Sequence, residues 1–183
     1  KERAVVVDIN GVQVRIGGIA KGAGMIQPNI ATMLAFITTD CVIKEDLLQA
    51  ALKEAVDESF NMITVDGDTS TNDTVIVLAN GQAENPLIDQ QDEAYFAFLA
   101  GLKEIATGLA KDIVRDGEGA TKLIEVNVKG AKDFAAARQV AKAIANSNLV
   151  KTAIFGCDAN WGRIICAAGY AGVDLIPSQV DIY

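Results

Sequence analysis

The chain has 183 residues, half of them hydrophobic, and a formal net charge of −8. That length and apolar content suit one large domain or two small ones with a sizeable core and argue against disorder. The acidic balance argues against nucleic acid or an anionic membrane as the main partner, because either favours a basic surface.

Histidine is absent, so no Ser-His or Cys-His catalytic unit can be assembled from this chain alone. No apolar run reaches the roughly eighteen residues of a membrane span, and "KERAVVVDIN" lacks the build of a secretory signal. A cytoplasmic setting is expected. Cys41, Cys157 and Cys166 are an odd number without C-x-x-C spacing, so neither a disulfide framework nor a metal site is indicated. All three read as small buried hydrophobes.

In chain order, "AVVVDINGVQVRIGGIAKG" predicts two strands joined at Asn10-Gly11, a dipeptide suited to a type I′ turn because both central residues need positive φ. "TMLAFITTD" predicts a buried strand beginning at or beside Thr32. From Asp46 to Phe60, Leu47, Leu48, Ala51, Leu52, Ala55 and Val56 recur at helical spacing. "NMITVDGDTSTNDTVIVLANG" then reads as strand, polar turn from Asp66 to Asp73, and strand. Asp92 to Arg115 predicts a long amphipathic helix stopped near Gly117.

"ATKLIEVNVKGA" alternates like a half-exposed strand, and Asp133 to Asn146 predicts a second amphipathic helix. "LVKTAIFGCDANWGRIICAAGYAGV" reads as a strand, a turn and a short helix from about Asn160, and "SQVDIY" as a strand. Paired strands with helices between them suggest α+β layers. A boundary at "RDGEGATK" divides the chain into a layered nucleophile-bearing domain, residues 1–117, and a smaller, truncated strand-helix-strand domain, residues 118–183.

Several stretches carry chemistry with a plainer reading beside it. "KGAG", Lys21 to Gly24, could offer backbone N–H groups and an ammonium to an anion, or be an ordinary glycine loop. "DGDTSTND" could bind calcium, but lacks the closing glutamate and register of an EF-hand, so a hydrogen-bonded turn is favoured. "DGEG", Asp116 to Gly119, could be only a helix stop, and Trp161 a core or interface anchor. Thr32 could be a plain strand residue. Yet without histidine, a threonine nucleophile could use its own α-amine as base once the Ala31-Thr32 bond is broken.

The stretch "KGAGMIQPNIATMLAFITTD" closely resembles the self-cleavage segment of the ornithine acetyltransferase family, the bifunctional enzymes of arginine biosynthesis. The resemblance continues in the family's order through "DGDTSTNDTV", "DGEGATK" and "VKTAIFGCDANWGR", and so covers essentially the whole chain. It implies an αββα-type sandwich of the N-terminal-nucleophile kind with a smaller C-terminal α/β unit. It implies cleavage between Ala31 and Thr32, with Thr32 the catalytic nucleophile and Lys21, Thr32 and Glu118 binding substrate.

The activity implied is transfer of an acetyl group from N-acetylornithine to glutamate. No cofactor stays bound, and acetyl-CoA is a second donor in some members. The chain then resembles a central portion whose oxyanion donors come from companion α and β segments of one precursor, assembled as two α and two β chains. The alternatives are a related self-cleaving aminopeptidase or amidohydrolase, in which water is the acceptor, and a non-catalytic assembly module.

Overall fold

The computed structural model describes residues 1–27, 33–68 and 71–183. The chain divides into two compact units, Lys1–Glu118 and Gly119–Tyr183.

The first unit begins with the expected hairpin, β1 (Glu2–Ile9) and β2 (Val12–Lys21). Asn10 and Gly11 between them have φ of 54° and 84°, the left-handed pair that matches the twist of both strands. The Asp8 carboxylate accepts the Gly11 N–H at 2.9 Å, closing the turn. β2 pairs antiparallel with β3 (Leu34–Thr39), which lies parallel to β4 (Thr74–Ala79), so the sheet order is β1-β2-β3-β4. Parallel neighbours require a crossover, and α1 (Glu45–Asp57) lies in that connection.

The long helix forms as its periodicity dictates. α2 spans Glu93–Arg115, and the Asp92 side chain caps it by accepting the Tyr95 N–H at 3.2 Å. It packs on β1 and β2 and beside α1. Val14, Ile16 and Ile37 from the sheet meet Phe98, Leu102 and Leu109 from the helix in one buried cluster. Each such side chain contributes about 1.5–3 kcal/mol through removal from water.

The second unit contains α3 (Phe134–Asn146), α4 (Asn148–Phe155) and α5 (Trp161–Gly169). Asp133, Ser147 and Asn160 cap them, accepting from Ala136, Val150 and Arg163. Val140, Ile144, Val150 and Ala167 form its core, with Val126 and Val128 packed against them.

Five segments depart from the expectations above. Leu149–Phe155, expected as a strand, is helical: Val150, Ala153 and Ile154 fall on one turn, and Ser147 supplies the cap. A short apolar run does not distinguish the two forms by periodicity. Residues 120–129 alternate between half-buried and exposed as expected but form no ladder, so the strand-helix-strand unit is helical, without strands among its described residues. The strands expected from Asn61 to Val65 and from Ser178 to Tyr183 do not form, and each stretch begins instead in a 3₁₀ turn, Phe60–Met62 and Pro177–Gln179. β3 also buries one face rather than two, with Phe36 exposed.

Candidate active site

Lys21 closes β2, exposed, opposite Leu34 of β3. The chain leaves the sheet there through Gly22, Ala23 and Gly24. At the far end of α2, Asp116 and Gly117 turn the backbone so that the Glu118 N–H donates to the Ala23 carbonyl at 2.7 Å. A Cβ on Gly24 would stand 2.8 Å from Glu118 Oε2, so any side chain there would displace the carboxylate. The two glycine-rich motifs, nearly a hundred residues apart in sequence, therefore meet.

Lys1 fastens the same place. Its ammonium donates to the Gly22 carbonyl at 3.1 Å and pairs with Asp116. The hydrogen bond from Lys1 holds the Asp116 carboxyl below the usual carboxylate range.

Ala31 and Thr32 lie outside the described residues. What stands on either side of them is held by the polar turn. Asp66 accepts the Met25 N–H at 2.6 Å through Oδ2 and the Ile26 N–H at 3.1 Å through Oδ1. Beside it the Val65 N–H donates to the Ile26 carbonyl at 2.7 Å. On the other side Asp73 Oδ1 accepts the Met33 N–H, and the Thr74 N–H donates to the Met33 carbonyl at 2.9 Å. Met25 has φ of 55°, a conformation that costs a non-glycine residue energy and persists only where neighbours hold it.

Set against known proteins, residues 1–183 match the sequence profile of the ArgJ family throughout. The chain belongs to the ArgJ family. It is 56% identical over 183 residues to the arginine biosynthesis bifunctional protein ArgJ of Symbiobacterium thermophilum, covering all of this chain and 46% of that protein. It is 58% identical over 182 residues to the protein of the same name from Oceanobacillus iheyensis, covering 45% of it. The crystal structure of the Bacillus halodurans protein of that name is similar, with a TM-score of 0.77 at 55% identity over 79% of this chain and 68% of that one. The chain spans about half the length of the curated relatives it matches.

In this member of the ArgJ family the structure joins Glu118 to the loop that follows Lys21, but sequence reasoning did not single out Asp66 and Asp73. They were expected to bond within their own turn, and Asp66 Oδ1 does accept the Asp68 N–H at 3.0 Å. Both carboxylates also reach backbone groups about forty residues earlier, a pairing that no local spacing encodes.

A cavity of about 640 Å³ opens beside Met33 and Asp73, lined also by Lys53, Val56, Phe60 and Val75; neither Lys21 nor Glu118 lines it. Of the three cysteines only Cys41 is buried, and burial pushes its thiol up to about 11, whereas Cys157 and Cys166 are exposed. Trp161 is exposed at the start of α5 and so is no core anchor. Among the described residues no group of His, Cys, Asp and Glu could hold a metal ion, and no helix is long and apolar enough to cross a membrane.

Proposed function

We propose that this chain carries the nucleophile of an ornithine acetyltransferase that moves an acetyl group from N-acetylornithine to glutamate. The observation that supports it best is the Glu118 carboxylate standing at the glycine loop next to Lys21, in a chain of the ArgJ family. The Glu118 carboxylate suits the amine of an amino acid and the Lys21 ammonium suits its carboxylate, as charge-assisted hydrogen bonds require.

Maturation comes first. Thr32 Oγ attacks the Ala31 carbonyl carbon, the bond to the Thr32 nitrogen breaks, and that nitrogen takes the proton. Water then opens the resulting ester, leaving the Ala31 carboxylate and a free α-amine at Thr32. In turnover the same Oγ attacks the acetyl carbonyl of N-acetylornithine while the α-amine accepts its proton and passes it to the departing ornithine amine. The glutamate amine then attacks the acetyl-threonine ester, and Oγ recovers its proton. Donors from companion segments stabilise both tetrahedral intermediates.

The bare face of the sheet supports a layered αββα arrangement. Ile19, Phe36 and Ile76 lie side by side across β2, β3 and β4 on that face, with Ile19 56% exposed, and Leu78 on the next row is 60% exposed. Contiguous apolar surface of this kind marks an interface, and a second sheet from companion α and β segments of the same precursor is its occupant. The reading extends to an assembly of two α and two β chains in the cytoplasm, to small-molecule substrates without nucleic acid or membrane, and to acetyl-CoA as a second acetyl donor without a bound cofactor.

The test is the intact mass of the full-length protein. It should fall into two pieces, one ending at Ala31 and one beginning at Thr32, while Thr32→Ala remains whole and transfers no acetyl. An uncleaved Thr32→Ala protein with normal turnover would sink this function.

A further inference from the structure

We propose that Asp66 and Asp73 are positioning residues for the Ala31-Thr32 bond, one carboxylate holding the chain ahead of the bond and the other holding the chain behind it. The inference rests on the function proposed above and concerns residues to which that function assigns no role.

The argument is one of placement. Asp66 grips Met25 and Ile26 through both of its oxygens, and the backbone bond from Val65 reinforces the same point. Asp73 grips Met33, and the backbone bond from Thr74 reinforces that point. Between the two grips lie Gln27 to Thr32, which include the bond to be cut. The two carboxylates are only seven residues apart in sequence, so one short stretch holds both flanks. A carboxylate accepting a backbone N–H is among the stronger hydrogen bonds available to a protein, and misplacement of reacting groups by about an ångström can cost about a hundredfold in rate.

After cleavage the two grips act on different polypeptides. Asp66 and Asp73 both lie on the piece that begins at Thr32, but Met25 and Ile26 lie on the piece that ends at Ala31. Asp73 therefore still holds the residue next to the new N-terminus and so orients the nucleophile in every turnover. Asp66 instead holds the earlier piece, including the loop that follows Lys21, in register with the later one.

The experiment follows cleavage of the full-length protein by intact mass over time, then measures acetyl transfer by whatever protein has matured. Asp66→Ala and Asp73→Ala should each slow cleavage by about tenfold or more, the effect of one lost charge-assisted bond. In the matured protein Asp73→Ala should lower kcat with KM nearly unchanged, whereas Asp66→Ala should act mainly on KM. The asparagine variants separate placement from general damage. Asp73→Asn keeps an acceptor for the Met33 N–H and should cleave clearly faster than Asp73→Ala. Asp66→Asn turns one of two working acceptors into a donor and should stay slow. Cleavage of both alanine variants within about twofold of the parent would overturn the proposal, as would an Asp73→Asn protein as slow as Asp73→Ala. A parent that never cleaves is a different result: it removes the function on which this inference stands.

Discussion

In Lys1–Glu118 a four-stranded sheet lays Val14, Ile16 and Ile37 against the twenty-three residues of α2, and Phe98 and Leu102 are sealed completely from water. In Gly119–Tyr183 three short helices close over Val140, Ile144, Val150 and a few alanines, and leave Phe155 70% and Trp161 68% exposed. The difference shows where precise placement of charged groups is possible. Lys21, Glu118, Asp66 and Asp73 all belong to the unit with the deep core: Lys21 ends β2, Asp73 precedes β4, Glu118 follows α2, and the backbone bond from Val65 to Ile26 anchors the loop that carries Asp66. Sites built on rigid elements hold their geometry better than sites on loosely supported ones.

The largest expected effect breaks that support directly. Phe98→Ala leaves a cavity under the sheet and should cost about 3–5 kcal/mol. Hydrogen exchange followed by mass spectrometry should show protection lost across β1 to β4 and α2 but kept in α3 to α5. Equal loss in both sets would mean that the units do not differ in the way described.

A smaller effect sharpens the same contrast by removing chemistry and leaving the core alone. Lys21→Ala and Glu118→Ala should each lower kcat/KM about ten- to a hundredfold, the range expected for one charge-assisted hydrogen bond to substrate. Thermal unfolding should be little changed, because both side chains are exposed. Kinetics indistinguishable from the parent would take that residue out of the site.

The smallest effect lies in the second unit and depends on pH. Burial on α3, with Arg138 adding to it, pushes the Lys142 ammonium down to about 8. Unfolding returns it to about 10.4. Below the lower value both states are protonated and the cost of burying the charge is fully present. Between the two values the unfolded chain binds more protons, so stability should rise with pH. Exchange protection of α3 to α5 should therefore grow between pH 8 and 10, and Lys142→Met should abolish that growth. Parallel profiles for parent and variant would exclude Lys142 as its source.

Much of this architecture was legible where one pattern had one physical solution. The Asn10-Gly11 turn needed two positive φ values, and the stripe from Tyr95 to Ile113 fitted no period but the helical one. Asp92 and Asp133 capped the helices that they preceded. Legibility failed where a pattern had two solutions. Leu149–Phe155 was apolar enough for a strand, and only the Ser147 cap and the packing of Val150 and Ala153 decided for a helix. Residues 120–129 alternate correctly, but a strand exists only where another strand pairs with it.

The sequence by itself determined the local conformations with a single low-energy answer, the absence of any histidine base, and the ordered motifs that mark the ArgJ family. Tertiary structure alone decided which distant groups meet: Glu118 at Ala23 and Gly24, Asp66 at Met25 and Ile26, and Asp73 at Met33. The reason is physical. A turn or a helix cap is settled by forces acting over three or four residues, whereas a carboxylate finds a backbone N–H about forty residues away only after the sheet and α2 have brought the two chain segments together.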